Sequence, residues 1–368
     1  MNQTIYMKMA LEIAERGCGF VNPNPMVGAV IVKNGKIIGS GYHEKYGALH
    51  AERNAISSCI ELPEGSDMYV TLEPCCHYGK TPPCTEAIIK NGIKKVIIGS
   101  VDPNPLVSGK GIEILRQNNI EVVCGMLDDE NKKLNEVFFH YIKTGKPFVV
   151  MKYAMTSDGK IATSSGKSRW ITGEKAREHV QRSRHQYSGI MTGVNTVIAD
   201  NPMLNCRMPQ GLDGARIICD TSLRIPLHSQ IVESAHEIIT YLVTACENEE
   251  RIKEFEGRGC RIIRTGRTPE GVDLNDLMIR LGEEKIDSIL LEGGSALNYS
   301  ALCSGIVNKL QVYISPKIFG GEGAKTPVGG AGIENPDNAF RLKNRGIKLL
   351  GEDVLMEYEV MNNVYRNY

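Results

Sequence analysis

Three short segments concentrate the residues able to do chemistry: His50-Ala51-Glu52, Glu73-Pro74-Cys75-Cys76-His77 and Pro82-Pro83-Cys84. Zinc in a tetrahedral catalytic site takes one imidazole and two thiolates and leaves its fourth position to a water, which it acidifies towards neutral pH. Glu52, two residues beyond His50 at a predicted helix start, can reach that water without ligating the metal. Such a centre attacks an amidine carbon that carries an exocyclic amine and expels ammonia. Cys75 and Cys84 each follow a proline where a helix can begin, so positive helix ends are expected to hold both as thiolates. Two other readings stand beside this one, a structural zinc site and a set of reduced core cysteines. A structural site would have no use for Glu52 and would usually add a fourth protein ligand.

The generic deaminase signature has two residues between its cysteines, whereas eight separate Cys75 from Cys84 here. Pairing with Cys76 does not rescue the short spacing, because adjacent cysteines rarely both reach one metal. In the second half no Gly-x-Gly-x-x-Gly follows the first strand, so a Rossmann dinucleotide site has little support. Leu290-Leu291-Glu292-Gly293-Gly294-Ser295 offers a different cradle, running from a strand into a helix whose first amides could face an anion. The same pair of glycines also suits an ordinary tight turn.

The elements that must position these residues follow from periodicity and turn chemistry. Met9, Ala10, Ile13 and Ala14 recur at helical spacing within 7–17. Segments 27–33 and 36–42 are apolar runs joined by Asn34-Gly35, a hairpin signal. Helices are expected over 50–59, 85–91, 111–118 and 128–144, the last as one piece, with strands over 68–72, 95–100 and 120–124. Gly145-Lys146-Pro147 then breaks the chain, which predicts two domains, 1–145 and 146–368. Beyond the break, strands are expected at 148–155, 189–193, 215–219, 237–243, 261–264, 288–291, 310–314 and 354–360, and helices at 174–185, 247–256, 274–281 and 296–303. Alternation of this kind means α/β layers around mostly parallel sheets.

With 368 residues the chain is too long for one ordinary core. Lys plus Arg and Asp plus Glu each total 43, so no net field favours nucleic acid or an anionic membrane. The first residues carry Lys8, Glu12, Glu15 and Arg16, unlike the apolar core of a signal peptide, and no later run is long and uncharged enough to span a bilayer. Of the 11 cysteines, only Cys75, Cys76 and Cys84 cluster, which is no disulfide framework. A reducing cytoplasm and a small-molecule partner are expected.

Asn22-Pro23-Asn24-Pro25-Met26-Val27-Gly28-Ala29-Val30, His50-Ala51-Glu52 and Thr71-Leu72-Glu73-Pro74-Cys75-Cys76-His77 with Thr81-Pro82-Pro83-Cys84 resemble the bifunctional deaminase/reductase of riboflavin biosynthesis. The likeness continues through 152–163, Ser168-Arg169-Trp170-Ile171-Thr172, 193–202 and Glu292-Gly293-Gly294. It implies a cytidine-deaminase-like α/β/α sandwich followed by a dihydrofolate-reductase-like α/β domain. The implied reactions are hydrolytic deamination of a 2,5-diamino-6-ribosylamino-4(3H)-pyrimidinone 5′-phosphate and then NADPH-dependent reduction of its ribosyl chain to ribityl.

By the same resemblance His50, Cys75 and Cys84 ligate Zn2+, Glu52 is the acid/base, and Asn24, His43, His77 and Lys80 line the deaminase pocket. In the second half Ala154, Trp170, Thr196, Asp200, Gly294, Ser295 and Ala296 are implied to contact NADPH, and Ser168, Arg184, Leu204, Arg207 and Glu292 the substrate. Asn205 departs from the family, which more often has Thr at that position. Arg184 and Arg207 could grip a ribose phosphate through their planar forks, although Arg184 on a charged helix could equally be solvated. Trp170 reads as a ligand wall or as core filling, and mid-strand Lys152 as a catalytic proton donor or a paired charge. A homo-oligomer without nucleic-acid or membrane partners is expected. The rival functions are a deaminase of another base, including one in RNA, and a non-catalytic zinc-stabilised nucleotide binder.

Overall fold

The computed structural model describes residues 3–79 and 82–361. The chain divides into two compact units, Met1–Gly145 and Lys146–Tyr368.

In the first unit α1 (Thr4–Ala14) leads into the hairpin β1 (Gly28–Lys33) and β2 (Lys36–Tyr42). Asn34 and Gly35 both take positive φ, 50° and 76°, which a two-residue turn of this hand requires. Then come α2 (Ala51–Ser57), β3 (Asp67–Leu72), α3 (Cys84–Lys90), β4 (Lys95–Ser100), α4 (Lys110–Gln117) and β5 (Glu121–Cys124). The sheet order is β2-β1-β3-β4-β5, antiparallel around β1 and parallel from β3 to β5. The period of two is explicit: Ala29, Ile31, Met68, Val70, Val96 and Ile98 face one core with α2, α3 and α4. Val30, Val32, Tyr69 and Ile97 face a second core with Tyr6, Met7 and Ala10 of α1.

The single helix expected over 128–144 is two, α5 (Asp128–Leu134) and α6 (Glu136–Thr144). Asn135 interrupts them with non-helical angles, φ −107° and ψ 28°. Its amide instead accepts from Met26 N at 2.8 Å and donates to Met26 O at 2.9 Å, tying the break to the Pro-Asn-Pro-Met loop.

The second unit runs β6 (Phe148–Thr156), α7 (Glu174–Gln186), β7 (Gly189–Gly193), α8 (Val194–Asp200), β8 (Ala215–Cys219), α9 (Gln230–Glu233), β9 (Thr240–Thr244), α10 (Glu249–Glu256) and β10 (Arg261–Arg264). A small hairpin β11 (Arg267–Thr268) and β12 (Gly271–Val272) follows, then α11 (Leu274–Glu283), β13 (Ser288–Leu291), α12 (Ser295–Cys303), β14 (Val307–Ser315), β15 (Arg341–Leu350) and β16 (Asp353–Met361). Nine strands form one sheet in the order β10-β9-β8-β7-β13-β6-β14-β16-β15, parallel as far as β14 and antiparallel beyond it. Helices cover both faces. Leu274, Leu277, Met278 and Leu281 of α11 join Ile217, Tyr241, Val243 and Ile289 on one side, while Val197, Ile231, Ile252 and Phe255 join Ile190, Ile218 and Leu242 on the other. In such a sheet ligands gather outside the carboxyl ends of the parallel strands. The end of β7 opens directly into α8, and that of β13 into α12 through Glu292-Gly293-Gly294.

Candidate active sites

In the first unit the extended backbone of His50, at ψ 163°, caps α2 and puts Glu52 in the helix's first turn. Both open into a cavity of about 320 Å³ with Cys75, Asn24, His43 and His77. Candidate ligand atoms of His50, Cys75 and Cys84 all lie within 4.8 Å of one another. Tetrahedral Zn2+ holding a nitrogen at about 2.0 Å and a sulfur at about 2.3 Å would separate them by roughly 3.5 Å. His50 Nδ1 stands 3.5 Å from Cys75 Sγ and 3.4 Å from Cys84 Sγ, so both nitrogen–sulfur edges of the donor triangle match a tetrahedral zinc.

Cys84 is the first residue of α3, as its proline suggested, but Cys75 is not at a helix start. Cys75 receives the Cys84 backbone N–H at 3.3 Å instead. The side-chain hydrogen bond with Cys84 is the main cause that draws the Cys75 thiol down to about 4, with His50 and the backbone N–H adding to it against burial. Glu52 is 3% exposed, and burial above all pushes its carboxyl up to about 7. A carboxyl near neutrality can both take and return a proton.

The cavity also draws on residues that the motifs did not mark. Asp102, Asn104 and Val107 line it from the loop after β4, and Phe138, Tyr141 and Ile142 from α6. Burial lifts the Asp102 carboxyl to about 6, against the pull of the Asn104 amide. Glu73, inside the cysteine motif, faces away from the metal ligands in role: it accepts N–H groups from Asp102 at 3.3 Å, Gly109 at 3.0 Å and Ile112 at 3.3 Å. The motif glutamate thereby holds the recognition loop. Lys80 lies outside the described residues.

In the second unit the centre is a charge triad. Glu292 follows β13 and takes both prongs of Arg184, Nε on Oε1 at 2.7 Å and Nη2 on Oε2 at 2.9 Å, while Lys152 Nζ of β6 stands 3.9 Å from the same Oε2. Their side chains are 12% (Arg184), 13% (Glu292) and 15% (Lys152) exposed. Burial alone would raise Glu292, but Arg184 and then Lys152 prevail and hold it at about 2. Burial lowers Lys152 below its ordinary value, partly offset by Glu292. Arg184 is therefore no solvated surface residue. Its fork is engaged by Glu292, and its third donor holds Asn205 O at 2.9 Å, orienting the segment that carries buried Leu204 and exposed Arg207. Asn205 is thus held through its backbone, which any residue supplies. Beneath Lys152 lies the Tyr313 ring, 5.7 Å from Nζ, with its hydroxyl 2.8 Å from His179 Nδ1.

The residues expected at the cofactor converge in part. A Cβ on Gly294 would come within 3.4 Å of Thr196 Oγ1, so α8 meets the start of α12. Arg169 Nη2 reaches Asp200 O at 3.3 Å, joining the 168–170 loop to the end of α8. Trp170 is 59% exposed and stacked under Arg177 at 4.8 Å, which suits a wall and not core filling. Ala154 stands two residues beyond Lys152 on β6, and half-buried Ser168 opens the 168–170 loop. The first helical bond of α12 runs from Asn298 N to Gly294 O, so the amides of Ser295, Ala296 and Leu297 precede it. A Cβ on Gly293 would meet Asn298 Oδ1 at 2.5 Å, and that oxygen is itself buried without a hydrogen-bond partner. A helix start preceded by two glycines fits a cofactor pyrophosphate.

Comparisons with known proteins agree along the whole chain. Residues 147–356 match the model of the RibD C-terminal domain, and residues 1–100 match the cytidine and deoxycytidylate deaminase zinc-binding region. The riboflavin biosynthesis protein RibD of Actinobacillus pleuropneumoniae is 55% identical over 362 residues, 98% of this chain and 96% of its own. The chain belongs to the RibD family. RibD of Escherichia coli K12 is 37% identical over 97% of this chain and 99% of its own. Among solved structures, RibD of Acinetobacter baumannii superposes with a TM-score of 0.88 at 35% identity, covering 97% of this chain and 98% of that one. A diaminohydroxyphosphoribosylaminopyrimidine deaminase/5-amino-6-(5-phosphoribosylamino)uracil reductase from Thermotoga maritima gives 0.86 at 37% identity, with the same coverage. Both halves of the RibD architecture, a deaminase-like domain and a reductase domain, are therefore present.

Proposed function

We propose that the chain is a bifunctional enzyme of riboflavin biosynthesis, with residues 1–145 as the zinc-dependent deaminase and 146–368 as the NADPH-dependent reductase. The observation that carries the first half is the donor triangle His50–Cys75–Cys84 beside buried Glu52, at separations that suit one zinc ion. Bound there, zinc would supply an acidified water. Glu52 would carry a proton from water to the departing amine on its buried carboxylate, while Asn24, His77 and the 102–107 loop would hold the diaminopyrimidinone ring in the cavity. Lys80 belongs to the same proposed set.

In the second half the cofactor would supply the hydride. The amides of Ser295 and Ala296 beside Gly294 would hold its phosphate, and Ala154, Trp170, Thr196 and Asp200 would contact it. Lys152 offers a proton beside the ribosyl chain and Glu292 keeps that lysine in place. Arg207, exposed and unburdened by the fork contact that Arg184 makes, is the better phosphate ligand of the two arginines. Ser168 and Leu204 complete the substrate wall. The balanced charge and the family's biosynthetic role support a small-molecule substrate, on which the chain is proposed to act as a cytoplasmic homo-oligomer. None of the described helices is long and apolar enough to cross a membrane. Incubation with the flavin-precursor pyrimidine and NADPH, following ammonia release and NADPH oxidation separately, tests both activities. Ammonia without subsequent NADPH oxidation would remove the second half of the proposal.

A further inference from the structure

His43 is 3% exposed and stands edge-on to His50, with ring centroids 5.3 Å apart. Its Nδ1 lies 3.1 Å from the Leu49 carbonyl oxygen. A carbonyl only accepts, so Nδ1 carries the hydrogen and the neutral ring leaves Nε2 bare. The group facing that bare nitrogen is the Nδ2 end of Asn24, at 3.2 Å. Turning the Asn24 amide over would set Oδ1 against the lone pair of Nε2 and replace an attraction by a repulsion.

The pivot of this amide is fixed as well. Asn24 N bonds to Val21 O at 2.8 Å, and both backbone groups of Met26 are held by Asn135 at 2.8 and 2.9 Å. His43 N in turn bonds to Val27 O at 2.9 Å, closing the loop against the end of the hairpin. Asn24 and His43 both line the cavity beside His50 and Glu52. The backbone thus settles where the Asn24 amide sits, and the His43 ring settles which of its ends is which.

We infer that His43 is a positioning residue that locks the Asn24 amide with its carbonyl as a fixed hydrogen-bond acceptor of the cavity, so that the site selects pyrimidines presenting an N–H to Asn24 over those presenting a carbonyl. The inference rests on the deaminase reading of the first unit. A 4(3H)-pyrimidinone ring offers such an N–H beside the amine it loses, whereas a cytosine offers a carbonyl beside an unprotonated ring nitrogen. Opposing two acceptors in a desolvated site costs about tenfold in affinity or more.

The test uses the full-length, zinc-loaded protein. Long-range 15N–1H spectra of the labelled chain should show His43 protonated at Nδ1 and bare at Nε2. A proton on Nε2 overturns the inference. The kinetic arm compares kcat/KM for ammonia release from the diaminopyrimidinone with the inhibition constant of cytidine 5′-monophosphate. His43→Ala frees the amide, and the preference for the pyrimidinone over the cytosine should fall about tenfold. His43→Gln, whose amide can donate towards Leu49 and accept from Asn24, should restore it. Unchanged discrimination in His43→Ala overturns the inference, and if that variant does not fold, the tautomer and His43→Gln decide. Failure of the unaltered protein to release ammonia would instead refute the deaminase reading itself.

Discussion

Glu292→Gln removes one charge from the Lys152–Glu292–Arg184 triad while keeping its volume. The carboxyl falls from 4.5 to about 2 in the folded chain. A fall of that size favours the carboxylate by about 3 kcal/mol. The side chain is 13% exposed and Arg184 12%, so solvent screening takes little of it. Breaking one side of a buried ion pair costs a comparable ~3–5 kcal/mol. The amide of the new glutamine would also turn its own hydrogens towards an arginine that has only hydrogens to offer. The second unit should therefore lose about 3 kcal/mol at pH 7, or roughly 10 °C in melting temperature. Urea denaturation followed through Trp170, the single tryptophan, reports on that unit. Because the folded value is depressed, the advantage of the unaltered protein is complete above 4.5 and shrinks as pH falls from there towards about 2. A difference below about 1 kcal/mol at pH 7, or one that stays constant between pH 7 and pH 3, would refute the triad as a linked ionic unit.

His50→Ala or Cys84→Ser should abolish tight zinc binding in elemental analysis, whereas Glu52→Gln should keep the metal and lose about a hundredfold or more in ammonia release. Residues 1–145 expressed alone should fold into a zinc-containing deaminase, since that unit has its own two cores; a folded but inert fragment would contradict the independence of the site. Gly293→Ala should weaken NADPH binding in calorimetry while ammonia release continues, because the new Cβ meets Asn298 Oδ1 at 2.5 Å. Gly294→Val acts through crowding near Thr196 alone, as φ at Gly294 is −81°, an angle open to any residue. Glu73→Ala should raise the KM of deamination and leave zinc content intact, since the carboxylate braces the loop and not the metal; lost zinc would contradict that division.

Most of the scaffold was legible because its signals are local. The Asn34-Gly35 turn, the strand 95–100 and the strand 189–193 follow from turn chemistry and apolar runs, and the structure places them as read. Where long-range contacts decide, local signals mislead. Helix 128–144 reads as continuous until Asn135 finds the Met26 backbone 109 residues away. The strand β15 gave no signal, since its residues are nearly all exposed and lack alternation, and α8 is short and rich in β-branched residues. At the sites, residue type was legible and partnership was not. The ligand triplet and Glu52 stand out by chemistry, yet neither the engagement of Arg184 by Glu292 nor the support of Lys152 by Tyr313 leaves a mark in spacing.

The grip of Glu73 on three backbone amides has an implication for redesign. Main-chain hydrogens are the same whatever side chain follows them, so this anchorage is blind to the identity of the residues it secures. Within the anchored stretch the backbone makes demands at two places: Gly109 at φ 81°, and Gly111, where a Cβ would lie 2.3 Å from Pro74 O. Asp102, Asn104 and Val107 line the cavity, and the first two brace the loop from within, Asn104 N–H on Asp102 Oδ1 at 2.8 Å and Leu106 N–H on Asn104 Oδ1 at 3.0 Å. The stretch behaves as a socketed insert. A library varied at Val107, and at Asp102 and Asn104 only among side chains that keep an acceptor for those two amides, with both glycines kept, would explore new base preferences while the hydrolytic centre stays as it is.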